Sequence, residues 1–264
     1  MHSRRSYGHW RLLIAAPRSG AENMARDTAL QLRAARTGES VFSIYSWSRP
    51  TLSFGRNQPA SGFYDVEKIR TSGIDIVRRP TGGRAILHGR EVTYSVTAPL
   101  TNSGPLREAY SRINLILQTG LSRLGVFAET ATTAERPLPG VRSCFETPAE
   151  GELVVQGCKL VGSAQWRNDR ALLQHGSILV DDDQSSLPFF AIGAETGSDS
   201  IPGPATLHGL LGRTPDANEV ANAMFDAVRS LDDADATELS EDEVREETLQ
   251  HIPHFLDEDW TWRR

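Results

Sequence analysis

Short apolar segments separated by glycine and proline turns, with helical segments between them, constrain the fold of this 264-residue chain more than any other feature. The strand-like segments lie at 41–47, 51–55, 74–78, 85–87, 92–98, 152–155, 159–165 and 172–180. Helical spacing of apolar residues covers 19–33 and 105–124, a short helix is predicted at 65–72, and the chain is helical and acidic from Thr214 onward. Strands that alternate with helices predict a mixed α/β domain.

Charge is distributed unevenly along the chain. Residues 1–180 hold 23 Lys and Arg against 14 Asp and Glu, whereas residues 181–264 hold 5 against 20. We therefore expect a catalytic core at 1–213 and an acidic helical segment at 214–264 that packs on the same domain. The basic excess of the core would attract acidic protein partners over long range.

Several function classes are disfavoured by composition. No segment approaches the roughly 20 apolar residues that a membrane span needs, and residues 1–7 lead into no apolar signal core. No basic run is interleaved with aromatic residues, so nucleic-acid binding is not expected. The two cysteines, Cys144 and Cys158, are too few for a disulfide framework and lack zinc-ligand spacing. We expect a cytoplasmic protein with free thiols.

A pair of glycines follows a strand in residues 78–84, RRPTGGR. Gly82 and Gly83 allow the backbone to approach a ligand closely with free N–H groups, which suits an acyl chain, a carboxylate or a phosphate. The spacing differs from that of Walker and dinucleotide-binding motifs. A hairpin with a tight turn and solvated arginines is the equal alternative. His88, at the end of the next strand, is expected to line a site at most.

Cys144 lies in a proline-rich segment that predicts no regular structure, and Lys159 follows it fifteen residues later. A nearby ammonium lowers the pKa of a thiol by favouring the thiolate, so Lys159 would make Cys144 a usable nucleophile. Of the 28 basic residues only Lys68 and Lys159 are lysines, and Lys68 is explained as a helix-surface residue. An inert buried thiol is the alternative for Cys144 and the favoured interpretation of Cys158.

Polar residues interrupt two of the strand-like segments. In the segment 159–165, Lys159, Val161 and Ser163 share one face. In the segment 172–180, residues 174–177 are polar, which is typical of a site, a bulge or a close backbone approach. His175 could orient a substrate, but satisfaction of a buried carbonyl is the favoured interpretation.

Taken together, five segments resemble the lipoate branch of the biotin/lipoate protein ligase superfamily. They are 22–25 (ENMA), 47–58 with SFGRNQ at its end, 78–88 (RRPTGGRAILH), 157–165 (GCKLVGSAQ) and 173–179 (LQHGSIL). The resemblance spans about residues 10–264. It implies an α+β fold with mixed, largely antiparallel β-sheets covered by helices, as in class II aminoacyl-tRNA synthetases and biotin ligases, and a helical C-terminal part.

Within that branch, three segments resemble the LipM-type octanoyltransferases: EVTYSV at 91–96, CFETP at 144–148 before ELVVQGCK at 152–159, and DEDWTWRR at 257–264. The resemblance implies that Cys144 carries an octanoyl thioester and that Lys159 lowers the pKa of the thiol and helps to position the acyl carbonyl. It implies a substrate site made of Arg78, Arg79, Thr81, Gly82, Gly83, Arg84, His88, Gly162, Ser163, Ala164 and His175. Gly89 and Cys158 depart from the pattern, in which Asp and a basic residue are common at these positions.

The implied reaction moves octanoyl from acyl carrier protein through Cys144 to a lysine of a lipoyl domain, such as the glycine cleavage H protein or a 2-oxoacid dehydrogenase subunit. It needs neither a cofactor nor a metal, and a monomer is expected. Three alternatives stay open: an ATP-dependent lipoate ligase, an amidotransferase that moves octanoyl between lipoyl domains, and a non-enzymatic binder of acyl groups or lipoyl domains. The presence of both Cys144 and Lys159 disfavours the binder, whereas sequence separates the amidotransferase only weakly.

Overall fold

Two β-sheets form the framework of the protein, described by a computed structural model over residues 8–100, 106–132, 145, 149–181, 184–193 and 203–263. The strands are β1 (Trp10–Ile14), β2 (Ser40–Tyr45), β3 (Thr51–Phe54), β4 (Asp75–Arg78), β5 (Ile86–His88), β6 (Glu91–Pro99), β7 (Glu129–Thr130), β8 (Leu153–Val155), β9 (Cys158–Arg167), β10 (Ala171–Leu179) and β11 (Thr237–Glu238). Among the described residues, the large sheet has the order β11-β1-β2-β6-β10-β9-β8-β7 and the small sheet the order β4-β3-β5. In the large sheet, β1 is parallel to both of its neighbours, β11 and β2, and all the other neighbouring strands pair antiparallel. In the small sheet, β3 pairs parallel with β4 and antiparallel with β5.

The helices cover these sheets. They are α1 (Gly20–Thr37), α2 (Val66–Thr71), α3 (Leu106–Arg123), α4 (Leu207–Leu211), α5 (Ala217–Leu231), α6 (Arg245–Leu256) and α7 (Glu258–Thr261), with 3₁₀ turns at Gln184–Phe190 and Glu241–Val244. Helices α1, α2, α4, α5 and α7 each follow a residue whose side chain caps the helix. At the start of α1 the Ser19 hydroxyl accepts from the Glu22 N–H, and the Glu22 carboxylate accepts from the Ser19 N–H at 3.0 Å. This capping box fixes where α1 begins, and Gly38, with φ of 75°, ends it in the left-handed conformation.

Helices pack on both faces of the large sheet because successive side chains of a strand point to opposite faces. Leu12 and Phe42 face α3 and α5, in the core cluster that contains Met224. Their neighbours Leu13 and Val41 belong to the cluster on the other face, where α1 packs against α6. The large sheet therefore lies between two helical layers.

The small sheet has its own apolar cluster, formed by Leu52, Phe54, Ile69 and Leu187, against which Trp262 packs. The short helix α7 contacts β4. The C-terminal residues thus support the small sheet directly.

The predicted fold class is confirmed, with mixed, largely antiparallel sheets, helical cover and a largely helical C-terminal part. The strand-like segments and the three predicted helices form, with ends shifted by a few residues. Strand β1 was not predicted, and β11 corrects the expectation of a wholly helical chain after Thr214. Both form through contacts between distant parts of the sequence that no local pattern reveals: β11 pairs with β1 in the register Arg11↔Thr237, and β1 pairs with β2 across the intervening α1.

The division of the chain at residue 213 stays a prediction, although α5 shares a core cluster with α3. Among the described residues, no helix combines the length and apolar character required to cross a membrane.

Candidate active site

A cavity of about 320 Å³ lies where the small sheet and the glycine turn meet β6, β9 and β10. Small-molecule sites in proteins occupy about 300–1,000 Å³, so the cavity suits a compact substrate group. Its lining residues are Met24, Tyr45, Trp47, Ser53, Arg79, Gly82, Gly83, Arg84, Ile86, His88, Thr93, Ala149, Glu152, Lys159, Gly162, Ser163, Ala164, Gln165, His175, Gly176 and Ser177.

Arg79 holds the glycine turn in shape. Its guanidinium donates to the carbonyl oxygens of Gly82 and Arg84 at 2.8 and 2.7 Å, and to the Ser53 hydroxyl at 3.0 Å. Gly83 has φ of 95°, and a Cβ at this position would lie 2.6 Å from Arg79 Nη2. Glycine is required here by both the backbone conformation and the close approach of Arg79.

Arg78 lies outside the cavity lining, although the sequence assigned it to the substrate site. It is fully buried, and its guanidinium donates to the carbonyl oxygens of Gly55 and Gln58 at 2.6 and 2.7 Å. Its other nitrogens donate to the carbonyl oxygens of Thr261 and Arg263 at 3.0 and 3.1 Å. Burial, together with neighbouring arginines, lowers the pKa of Arg78 to about 10. Arg78 joins the C-terminal segment to the loop after β3 instead of facing the cavity.

Lys159 places a buried ammonium at the cavity wall. The side chain is 2% exposed, and Nζ lies 2.6 Å from Glu152 Oε1 and 4.8 Å from the centre of the Phe145 ring. Phe145 is itself buried, in a cluster with Ile86 and Leu179. An ammonium between a carboxylate and an aromatic face is held by both charge and quadrupole.

Cys144, the predicted nucleophile, lies outside the described residues. Its contact with Lys159 therefore stays a prediction. Cys158, the other thiol, is partly exposed at the start of β9 and is free.

His88 lines the cavity within a hydroxyl, imidazole and carboxylate array. Its Nδ1 lies 2.5 Å from Glu91 Oε1, and its Nε2 lies 2.8 Å from the Ser53 hydroxyl oxygen. The imidazole stacks on Trp47 with ring centres 3.9 Å apart. Burial lowers the pKa of His88, an effect that the Glu91 carboxylate opposes. A neutral ring donates from Nδ1 to the carboxylate and accepts at Nε2 from Ser53.

His175 lies in a second array of the same kind on β10. Its Nδ1 lies 2.7 Å from Asp27 Oδ2, and its Nε2 lies 2.6 Å from the Thr81 hydroxyl. These partners are side chains, whereas a backbone carbonyl was the favoured expectation. Tyr45 also donates to Asp27, at 2.9 Å, and burial together with Asp27 raises the pKa of Tyr45 well above 10.0. Thr81 thus contacts His175, which lines the cavity, but Thr81 is not itself part of the cavity lining.

A polar network crosses the neighbouring strands. The hydroxyl groups of Tyr94 and Ser163 lie 2.6 Å apart, and Gln174 donates to Tyr94 at 2.8 Å. Burial raises the pKa of Tyr94 to about 12, so the phenol stays protonated. The space between these strands is filled by backbone, since a Cβ at Gly176 would lie 2.2 Å from the Gly162 carbonyl oxygen. The polar interruption in β10 therefore marks a close backbone approach beside the cavity.

Most residues assigned to the site from the sequence line this one cavity. They are Arg79, Gly82, Gly83, Arg84, His88, Lys159, Gly162, Ser163, Ala164 and His175. Sequence reasoning missed Glu152, Ser53, Trp47 and Tyr45. Glu152 carried a usable signal, since an acidic residue directly precedes the apolar strand β8, which pairs with the strand of Lys159 across the turn at Gly157.

Within the described part of the chain, no group of three or more His, Cys, Asp or Glu side chains is arranged to hold a metal ion. Among the described residues, the groups at the cavity include the Lys159 ammonium, the guanidinium groups of Arg79 and Arg84, the imidazoles of His88 and His175 with their carboxylate partners, and the glycine turn.

Comparison with known proteins places this geometry in context. Residues 19–229 match the family model of the lipoyl protein ligase A/B catalytic domain. The chain is 37% identical to an octanoyltransferase LipM of Kyrpidia tusciae, over 97% of this chain and 99% of that protein. It is 39% identical to an octanoyltransferase LipM of Staphylococcus aureus, over 67% of this chain and 68% of that protein.

Solved structures share the fold. A crystal structure of lipoate-protein ligase A bound with ATP has a TM-score of 0.78 at 18% identity, covering 96% of this chain and 98% of that chain. A putative lipoate protein ligase from T. acidophilum with bound lipoic acid has a TM-score of 0.76 at 18% identity, covering 96% and 99%. The fold is therefore that of a lipoate-protein ligase. The relatives by sequence confirm the expected activity, an octanoyltransferase of lipoate biosynthesis. On the span of the family match and the identity to these relatives, the chain belongs to the lipoyl protein ligase A/B catalytic domain family.

Proposed function

We propose that this protein transfers an octanoyl group from a carrier-protein thioester, through a thioester on Cys144, to a lysine of a lipoyl domain. The observation that carries the proposal is the buried Lys159 ammonium in the cavity wall, 4.8 Å from the ring of Phe145. Phe145 is the residue bonded to Cys144, so its position supports a reaction at this end of the cavity.

The reaction divides into two acyl transfers. In the first, the Cys144 thiolate attacks the octanoyl carbonyl carbon, a bond to Sγ forms, and the bond from that carbon to the carrier sulfur breaks. In the second, the neutral amine of the acceptor lysine attacks the same carbon, the amide bond forms and the Cys144 thiolate leaves. The proton lost by the amine balances the proton taken up by the departing carrier thiolate, so neither ATP nor a metal is consumed.

The Lys159 ammonium serves both transfers in this proposal. A positive charge beside the thiol favours the thiolate, which is the nucleophile in the first transfer and the leaving group in the second. Backbone N–H groups of the turn at Gly82 and Gly83 would stabilise the tetrahedral oxyanion, a contribution of about 3 kcal/mol in other acyl transferring enzymes.

The substrates belong to the same proposal. Octanoyl-acyl carrier protein would be the donor, and lipoyl domains of the glycine cleavage H protein or of 2-oxoacid dehydrogenase subunits the acceptors. The basic excess of residues 1–180 suits acidic protein partners. Cytoplasmic location and a monomeric state stay predictions from the sequence.

A transfer assay with two matched lysine variants tests the role of Lys159. The purified protein is given octanoyl-carrier protein and a lipoyl domain without ATP, and octanoyl-lysine is measured by mass. We expect Lys159→Met to lower kcat/KM by at least about 100-fold, the range of a lost general acid or a lost charge at the nucleophile. Lys68→Ala, which removes the other lysine of the chain, should leave kcat/KM unchanged.

Two results would contradict the proposal. One is octanoylation that requires free octanoate and ATP, which is the activity of a ligase. The other is a Lys159→Met variant with normal kcat/KM and a normal far-ultraviolet circular dichroism spectrum. Transfer that occurs from an octanoylated lipoyl domain but not from the carrier protein would identify an amidotransferase.

A further inference from the structure

Glu152 lines the cavity, but the proposed transfer gives it no role. The side chain is 6% exposed, and its two carboxylate oxygens have different partners. Oε1 accepts from Lys159 Nζ at 2.6 Å, and Oε2 accepts from the Ala149 N–H at 2.8 Å. One carboxylate therefore connects the ammonium to the backbone of the segment that contains Phe145.

We propose that Glu152 is a positioning residue for acyl transfer, which holds the Lys159 ammonium and the Ala149 backbone in one fixed arrangement at the cavity wall. The inference rests on the proposed function, because its consequence is the placement of the ammonium beside the reacting thioester.

The local backbone is arranged to present this pair. Strands β8 and β9 form a tight hairpin in which Gln156 and Gly157 have φ of 52° and 79°. The strand register shifts between Leu153 and Val154, directly after Glu152. Such irregularities redirect side chains and are frequent next to active sites. The register pairs Val154 with Lys159, so Glu152 lies two residues before the partner of Lys159, and its carboxylate reaches Nζ at 2.6 Å.

Space for the ammonium is kept by a glycine. A Cβ at Gly162 would lie 3.0 Å from Lys159 Cε, 3.2 Å from Lys159 Nζ and 3.0 Å from Cζ of Phe145. Any larger residue at 162 would displace the lysine side chain or the phenylalanine ring. Glycine at position 162 thus leaves the space that the Lys159 side chain occupies in this orientation.

A contribution to stability alone does not explain the buried ion pair of Glu152 and Lys159. Buried ion pairs contribute little net stability, because the cost of removing both charges from water offsets their attraction. Both Glu152 and Lys159 line the cavity, where a bound acyl group would meet them. The carboxylate keeps the charge of the site balanced while Lys159 is an ammonium, and it restricts where that ammonium can move.

The test separates charge from position. Glu152→Gln removes the negative charge, and its amide cannot accept from both partners at once. We expect kcat/KM to fall about 100-fold, comparable to loss of an acid or base group. The loss should lie in kcat, with the KM for octanoyl-carrier protein unchanged, because Glu152 acts on the position of the Lys159 ammonium and not on binding of the carrier protein.

Glu152→Asp retains the charge but shortens the side chain by one methylene, so it cannot span both partners. We expect about a tenfold loss in kcat/KM, which again lies in kcat and leaves the KM for octanoyl-carrier protein unchanged. Glu150→Gln is the matched control, since Glu150 is exposed and pairs with Arg107 at 3.3 Å. Glu150→Gln should leave kcat and KM unchanged. If Glu152→Gln does not fold, the tenfold loss in Glu152→Asp carries the test.

Failure of this inference differs from failure of the proposed function. A parent protein that transfers octanoyl without ATP, together with Glu152→Gln or Glu152→Asp variants that match it in kcat/KM, overturns only the role of Glu152. A parent protein that transfers no octanoyl group from the carrier thioester overturns the proposed function, and this inference falls with it.

Discussion

At the scale of single residues, His88 is a buried imidazole whose pKa the fold lowers. Burial lowers its pKa below the usual 6.5, although the Glu91 carboxylate opposes this shift. Below about pH 6.5 the unfolded chain therefore binds a proton at this position that the folded protein binds less readily. The free energy of unfolding should fall as the pH drops from neutral, and His88 should contribute to that fall.

A substitution isolates this contribution. In His88→Gln, the loss of unfolding free energy between pH 7.5 and 5.5 should be smaller than in the parent protein, by at most about 1.4 kcal/mol per pH unit. Urea unfolding at both pH values measures it, and His208→Gln, at an exposed position, is the control. An equal pH dependence in His88→Gln and the parent protein would show that the burial of His88 does not oppose its protonation.

Residue roles were predictable where chemistry and local spacing coincide. Lys159 could be selected because lysine is rare in this chain, and Gly83 because a glycine pair follows a strand. Glu152 was not assigned, although it directly precedes an apolar strand, since its contact with Lys159 depends on how β8 pairs with β9. Arg78 was assigned to the substrate site because the segment 78–84 resembles the family motif, but adjacent residues of an extended chain point in opposite directions, and Arg79 is the one that lines the cavity.

At the scale of elements, the C-terminal helix α7 is attached to the small sheet through Arg78. We expect Arg78→Lys to lower the free energy of unfolding by about 1–3 kcal/mol, because an ammonium cannot satisfy the carbonyl oxygens that the planar guanidinium reaches. Urea unfolding monitored by tryptophan fluorescence measures this change, since Trp260 donates to the Arg78 carbonyl oxygen. Arg49→Lys, at an exposed position that pairs with Asp75 at the start of β4, should change stability by less than about 0.5 kcal/mol. Equal effects of the two substitutions would argue against an anchoring role for Arg78.

Elements with strong local signals were predictable, and those that depend on distant contacts were not. The capping residue Ser19 and the apolar spacing after it define α1 in the sequence. The strand β1 is as apolar as its neighbours, but its partners are distant in sequence, since it pairs with β2 across the whole of α1 and with β11. Strand β11 is a two-residue segment that exists because it pairs with β1.

At the scale of the whole molecule, basic residues of the N-terminal part pair with acidic residues of the C-terminal part, which the sequence did not reveal. Arginines of β1, of α1 and of the loop between them form ion pairs with the acidic residues that follow β11: Arg11 with Glu243 at 3.0 Å, Arg18 with Glu241 at 3.5 Å, and Arg36 with Glu247. Part of the basic excess is therefore neutralised within the protein. Only the remainder is available to the acidic partners that the proposed function requires.

The central claim, that Cys144 carries the acyl group, is tested most directly by the mass of the intact protein. After incubation with octanoyl-carrier protein in the absence of ATP and acceptor, we expect the parent protein to gain the mass of one octanoyl group. The adduct should disappear in Cys144→Ser and persist in Cys158→Ser, which removes the other cysteine of the chain. An adduct that persists in Cys144→Ser, or a parent protein that gains no mass while it still octanoylates a lipoyl domain with ATP, would contradict the account.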